Sequence, residues 1–411
     1  MNAREKGRSA VDTPAPKGRN RVRLVVRGAC LVGAVVLLWS VVPLAWAPAL
    51  VGALSPFVAT ASLLATRAWA ATAWAGLAVG VVVLVRHRFF CRWMCPMGLC
   101  LDGASRLGRR LGRRSLPGPR VGPWIVLLTL GGACLGYPLL LWLDPLALLT
   151  GVFALGADGP VPFVSLGVIL FLCLALSSLL WPNLWCARIC PLGAFQDLLS
   201  FWRRFLGSVR RRRGNAADAW QNGQTLSRRS ALGIATGAVV ARIAGLARAK
   251  APRPLRPPGA LDESKFVGVC TRCGNCLRSC PSGIIRRDTG QGGAISLWTP
   301  VLSFQDDYCR EDCTQCTQVC PSGALTRLLP EDKPRMRLGL PRVDMNICLL
   351  ADDRECSACA RWCPYDAIRY VFSEAEYTLV PQIDPNKCTG CGACEAACPT
   401  TPKKAIVVAP V

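Results

Sequence analysis

Four stretches of this chain repeat one cysteine pattern, at an interval of about 35–40 residues. The first reads Cys270-x2-Cys273-x2-Cys276-x3-Cys280-Pro281, and the fourth Cys388-x2-Cys391-x2-Cys394-x3-Cys398-Pro399. The second, Cys309-x3-Cys313-x2-Cys316-x3-Cys320-Pro321, and the third, Cys348-x7-Cys356-x2-Cys359-x3-Cys363-Pro364, have longer first spacings. A cubane cluster presents four irons at tetrahedral corners. Three closely spaced cysteines wrap three irons, and a fourth, stopped by proline, faces the neighbouring cluster. Zinc sites lack the third close cysteine and the proline, and a disulfide framework would not repeat this pattern. The repeats therefore predict four [4Fe–4S] clusters held by these sixteen cysteines. Fourth ligands should cross within each pair of repeats, and the looser second and third repeats are read as an inner pair.

A different motif occurs twice upstream, as Cys91-Arg92-Trp93-Met94-Cys95-Pro96-Met97-Gly98 and Cys186-Ala187-Arg188-Ile189-Cys190-Pro191-Leu192-Gly193. If the turn is helical, spacing i, i+4 puts both thiols of a pair on one side. Together the four could bind a fifth cluster, bind another metal, cycle as redox thiols, or simply pack. Cys30, Cys134 and Cys173 stand alone in apolar runs, where packing is the default. Cys100 lies near the first pair but outside the pattern.

With 24 cysteines the chain has a single histidine, His87. A bis-histidine haem and a Rieske centre are excluded, and no C-x-x-C-H run offers covalent haem. There is no P-loop, no G-x-G-x-x-G after a strand and no G-x-S-x-G. The formal charge of +24 suggests nucleic acid until it is divided along the chain. Residues 262–411 hold 17 basic and 18 acidic side chains, whereas residues 1–261 hold 32 and 7. The excess sits with the hydrophobic runs, which indicates membrane topology and no nucleic-acid partner.

Mean hydropathy is +0.32 over 411 residues, too apolar for one ordinary soluble domain. Spanning a bilayer takes about 20 apolar residues, and four stretches offer them: one within Gly28–Thr66, then Ala68–Val85, Val121–Leu143 and Val161–Pro182. The 39 uncharged residues of Gly28–Thr66, with Pro43, Pro48 and Pro56, predict a span followed by an interfacial or re-entrant piece. The segments 1–28, 86–120 and 183–229 carry 26 Lys/Arg between them, and the two opposite loops only Arg67. The positive-inside rule then puts the N-terminus and both basic loops in the cytoplasm of a bacterial inner-membrane protein.

At 226–249, Leu226-Ser227-Arg228-Arg229-Ser230-Ala231-Leu232 precedes an apolar run ending Ala247-Arg248-Ala249, the layout of a twin-arginine export signal. The usual Phe is absent and Arg242 interrupts the run. Retention as a fifth helix is expected over cleavage after Ala249, because tethering serves electron transfer. The chain divides into a basic tail (1–27), a four-helix membrane domain (28–200), a basic linker (201–225), the signal-like segment (226–249), a Pro-rich linker (250–261) and an α+β polyferredoxin domain (262–411), expected in the periplasm.

These motifs carry a resemblance. Four spans with two C-x3-C-P-x-G motifs resemble the NapH/NosR group of membrane ferredoxin-type proteins, and the four-cluster half resembles the MauM/NapG polyferredoxins, here fused into one chain. The resemblance implies quinol oxidation, drawing on the membrane quinone pool, and electron delivery to a soluble periplasmic reductase or cytochrome. The alternative is a redox maturation or assembly factor for a metalloenzyme. A hydrocarbon core of about 30 Å would separate the thiols from the exported clusters, which would move quinol oxidation to the outer face. Asp144 and Asp158 are the acidic residues of the outer loops. Asp144 either accepts quinol's protons or caps a helix starting at Pro145.

Overall fold

The computed structural model describes residues 17–39, 46–116, 118–154, 166–211, 219–249, 252–352, 354–374 and 377–410. In the N-terminal half, a capping side chain followed by proline starts one helix after another. Ser55 precedes Pro56, Cys95 precedes Pro96, and Asp144 precedes Pro145. The side chain accepts an orphan backbone N–H while the proline fills the first turn, where its missing donor costs nothing.

The helices of this half are α1 (Lys17–Leu38), α2 (Ala47–Ala53), α3 (Pro56–Thr66), α4 (Ala73–Val85), α5 (Phe89–Trp93), α6 (Pro96–Arg110), α7 (Gly122–Cys134), α8 (Pro145–Val152), α9 (Leu166–Leu180), α10 (Pro191–Arg211) and α11 (Ala219–Ala249). The two halves of the internal repeat cross: α6 lies along α9, and α10 along α7 and α4.

These helices are shorter than the spans expected from hydropathy. Among the described residues, only Ser230–Arg248 is by itself long and apolar enough to cross a membrane. The pair α2–α3 qualifies only if taken together, bent by 90°. The run Val121–Leu143 breaks at Cys134 because Gly136 takes a left-handed φ of 86° just before Tyr137-Pro138. Helix α1 starts ahead of Gly28, so Arg27 lies inside it, 4% exposed. Asp158 lies outside the described residues.

Helix α11 packs along α7 through glycines. A Cβ on Gly237 would stand 2.3 Å from the Leu128 carbonyl oxygen, and one on Gly131 2.2 Å from that of Ile234. Its last turn is tied to the C-terminal half. Arg248, 2% exposed, donates Nε to Glu263 at 3.0 Å and Nη1 to the Gly292 carbonyl at 2.6 Å. Glu263 is shared with Arg256, which donates Nη2 at 2.6 Å and Nε at 2.9 Å. Burial alone would raise the Glu263 carboxyl, but Arg256 and then Arg248 hold it below its ordinary value.

The C-terminal half has short helices α12 (Glu263–Val269), α13 (Asn275–Ser279), α14 (Gln315–Gln318), α15 (Ala358–Arg361) and α16 (Ala393–Ala397). Its strands are β1 (Ile285–Arg287), β2 (Pro300–Leu302), β3 (Leu340–Val343), β4 (Ile368–Ser373), β5 (Thr378–Ile383) and β6 (Ile406–Ala409). They form three antiparallel pairs, with Ile285 opposite Leu302, Leu340 opposite Ala409 and Ile368 opposite Ile383. Helices α13 to α16 carry Cys276, Cys316, Cys359 and Cys394, the third cysteine of each repeat.

This half sits on one end of the helical bundle. Arg278 donates to the Leu38 carbonyl. Asn275 Nδ2 donates to the Pro48 carbonyl at 3.2 Å, and Thr72 Oγ1 to the Pro321 carbonyl at 3.1 Å. The Arg272 guanidinium lies 5.6 Å over the Trp142 ring. These contacts fall at the end of α1, the start of α4 and beyond the end of α7. The two C-x3-C-P motifs follow the opposite ends of α4 and α9.

Candidate metal centres

Each repeat forms a cradle around a small cavity, and each cavity is lined by four cysteines. Cys270, Cys273 and Cys276 are completed by Cys320 from the next repeat. Cys309, Cys313 and Cys316 are completed by Cys280. Cys348, Cys356 and Cys359 take Cys398, while Cys388, Cys391 and Cys394 take Cys363. The fourth ligands therefore cross between the first and second repeats and between the third and fourth. The second and third repeats do not form an inner pair, since Cys320 turns back to the first repeat and Cys363 forward to the fourth.

The donor set fits a cubane. All 24 cysteines are free thiols. Among the described residues no three His, Cys, Asp or Glu side chains converge tightly enough for one metal ion. Each cavity is lined by four thiols, one for each iron a cubane would present. Backbone N–H groups reach the sulfurs: Leu325 N to Cys320 at 3.4 Å and Ala367 N to Cys363 at 3.4 Å. Burial pushes the Cys391 thiol up to about 11 and Cys270 up to about 12. Burial also raises Cys398, but hydrogen bonds from Thr400, Ala405 and Ile406 together leave it below the ordinary thiol value.

The upstream motifs converge on one another. Cys91 lies within electrostatic reach of Cys95 and Cys186, and Cys190 of all three. The motif spacing has a local cause. Cys95 is the N-cap of α6, Pro96 fills its first turn, and Gly98 N donates to Cys95 Sγ at 3.3 Å. Gly193 N makes the equivalent bond to Cys190. Burial pushes Cys95 up to about 11 and Cys186 up to about 12. Sequence reasoning missed the side chains around these thiols. Gln196, 0% exposed, donates Nε2 to Cys91 Sγ at 3.0 Å. Arg88 is gripped by Asp197, with Nε donating at 2.6 Å. The Nε of buried Arg27 and the Nε1 of buried Trp185 have no protein acceptor. A signal was present for Gln196: it interrupts the apolar stripe Leu192, Phe195 and Leu199 at helical spacing.

Comparison with known proteins agrees with both kinds of site. A family described as a 4Fe-4S dicluster domain matches residues 269–324 and 354–401. One described as a 4Fe-4S binding domain matches residues 66–114 and 164–209. The methylamine utilization ferredoxin-type protein MauM of Methylobacillus flagellatus is 36% identical over 172 residues, 39% of this chain and 73% of the relative. The ferredoxin-type protein NapG of Escherichia coli K12 is 36% identical over 206 residues, 48% of this chain and 80% of the relative. The chain belongs to the MauM/NapG ferredoxin-type family. It is an iron–sulfur electron-transfer protein of that family. The NapF protein of E. coli K12 is also similar, 33% identical over 153 residues, 37% of this chain and 84% of the relative. No solved structure matches.

In this family member Asp144 is the N-cap of α8. It is 0% exposed inside the helical half. Its Oδ1 accepts Leu146 N at 2.9 Å and Ala147 N at 3.3 Å, and its Oδ2 accepts Ser55 Oγ–H at 2.6 Å. Both oxygens accept hydrogen bonds, and the two from backbone N–H groups are those of a helix cap. Between the upstream thiols and the ferredoxin half, α2, α3 and α8 fold into the bundle. Gly52 abuts Pro321, beside Cys320. Ser55, whose N–H donates to Gly52 O at 3.2 Å, holds Asp144, which lies within electrostatic reach of Cys95.

Proposed function

We propose that this protein is anchored in the bacterial inner membrane, oxidises quinol from the membrane pool, and delivers electrons to a soluble periplasmic reductase or cytochrome. The reading includes four [4Fe–4S] clusters on the sixteen repeat cysteines and a fifth on Cys91, Cys95, Cys186 and Cys190. Each cluster, when bound, supplies a one-electron centre of tunable potential.

The observation that carries the reading is the seating of the ferredoxin half on the bundle end opposite the basic loops. The loop holding Cys320 rests on Gly52 and Thr72, so the first cradle lies at the bundle surface. Membrane insertion is supported by apolar side chains exposed along the outer helices, among them Val25, Val32, Val81, Leu172, Leu176, Val239 and Ile243. Large apolar side chains exposed on helix after helix suit a lipid-facing surface. Trp39, Trp46, Trp69 and Trp74 are exposed at the end facing the ferredoxin half, where an interfacial aromatic belt would lie.

In this reading the chain's residues hold thiolates, exclude water and fix the order of the cradles. The test is anaerobic addition of a reduced quinol analogue to membranes containing the protein, with EPR as readout. Reduced-cluster signals within seconds are expected. Reduction by dithionite but never by quinol would overturn the quinol reading and favour the assembly-factor alternative.

A further inference from the structure

Of the four upstream cysteines, Cys95 and Cys190 are buried and Cys91 and Cys186 only partly exposed, and that creates a charge problem. Four thiolates around a cubane leave a net negative charge, and it grows on reduction. Such charge at a largely buried site demands a countercharge and hydrogen-bond donors. Outer partners of this kind are what tune a bound metal.

The side chains around the site differ in how far they are already committed. Arg88 is neutralised by Asp197, which takes Nε and Nη2 together. Arg27 comes from α1, outside both matched segments of the upstream motifs. Its guanidinium stands over the motif glycine, with Nη2 3.0 Å from where a Gly98 Cβ would be. Arg27 lies within electrostatic reach of Cys95 and of Cys186, one thiol from each motif. Its ion pair to Asp102 uses only Nη1, and Asp102 is 30% exposed and so partly screened. Its Nε has no protein acceptor. Gln196 supplies a neutral N–H to Cys91 Sγ from a fully buried position.

We propose that Arg27 and Gln196 are positioning residues of the four-thiol site. Arg27 is the countercharge that α1 brings to the cluster, and Gln196 is the donor that steadies the Cys91 thiolate. Both stabilise the more negative, reduced form and so raise the potential of this centre above what the thiols alone would give. The step concerned is one-electron reduction of this centre; quinol gives up its two electrons one after the other and its two protons to water, with no bond made or broken at these side chains. The inference rests on the reading that the four thiols hold a fifth cluster.

The experiment uses the full-length protein in detergent, with iron content and EPR-monitored redox titration as readouts. The double variant Cys91→Ser/Cys190→Ser identifies the signal belonging to this site. In Arg27→Gln and in Gln196→Leu that signal should persist with a lower midpoint potential, while the other signals stay in place. Arg27→Lys, which keeps the charge, should restore the wild-type value. Loss of the signal in Arg27→Gln but not in Arg27→Lys would equally support the countercharge. An unmoved potential in both Arg27→Gln and Gln196→Leu, at full iron content, would overturn the inference alone. Loss of the signal in both Arg27 variants would overturn it in favour of packing. If Cys91→Ser/Cys190→Ser removes neither iron nor signal, the fifth-cluster reading fails and the inference fails with it.

Discussion

The backbone N–H of Cys309 donates to the carbonyl oxygen of Cys391 at 2.9 Å. That bond joins the second cradle to the fourth. With crossed ligands joining first to second and fourth to third, the spatial order is first, second, fourth, third. The first cradle rests on the helical bundle, and the third lies at the far end, where Cys348, Cys356 and Cys359 are all partly exposed. Electrons entering from the bundle would therefore leave beside β4 and β5, from the third repeat rather than the last in sequence.

The crossing predicts which cysteines share a cluster. Cys320→Ser should abolish the same EPR signal as Cys270→Ser, and Cys280→Ser the same signal as Cys309→Ser. Iron analysis of the wild type should give about sixteen atoms, or about twenty with the fifth cluster, since each cubane holds four. Loss of the Cys309-dependent signal in Cys320→Ser would mean that each repeat keeps its own fourth ligand.

Export of the C-terminal half should depend on Arg228 and Arg229. A C-terminal reporter in the Arg228→Lys/Arg229→Lys variant should lose its periplasmic location. The wild type should also remain one chain of 44.2 kDa on a C-terminal blot. Cleavage after Ala249 would detach Arg248, which is buried against Glu263 and Gly292. Arg248→Ala should cost about 1.5–3 kcal/mol, the value of hydrogen bonds to charged groups, read as earlier loss of cluster absorbance in urea. A short fragment in place of the full-length band would show that the segment is a removable signal.

Asp144→Asn should retain quinol oxidation and iron content, because the amide keeps the capping oxygen. A fall of about tenfold or more, the low end for a positioned acid–base group, would restore the proton-acceptor role.

Gly392 adopts φ 85°, and a Cβ there would stand 2.2 Å from the Phe304 ring. Gly392→Ala should cost about 1–3 kcal/mol by overpacking and lower iron by about one cluster, the one held by Cys388, Cys391, Cys394 and Cys363. Full iron and an unchanged urea midpoint would show that the loop relaxes freely.

The ferredoxin sites were legible in the sequence because their ligands are local. Three closely spaced cysteines line one cradle and a fourth before proline turns to the next, so the spacing predicts the chemistry of Cys270–Cys280 and its repeats. Helix starts at Ser55-Pro56, Cys95-Pro96 and Asp144-Pro145 were equally local. Tertiary packing decided everything that depends on which segments meet. Whether Cys320 serves its own repeat or its neighbour's, and that Cys309 meets Cys391, follow from how the repeats stack. Arg27 reaches Cys95 because α1 lies against α6, and Arg248 is buried because α11 delivers it to Glu263. The burial of Asp144 was not legible, because hydropathy assumes straight spans. The bent pair α2–α3 and the inward α8 enclose it, since a short helix with a satisfied cap can be buried where a bare loop cannot.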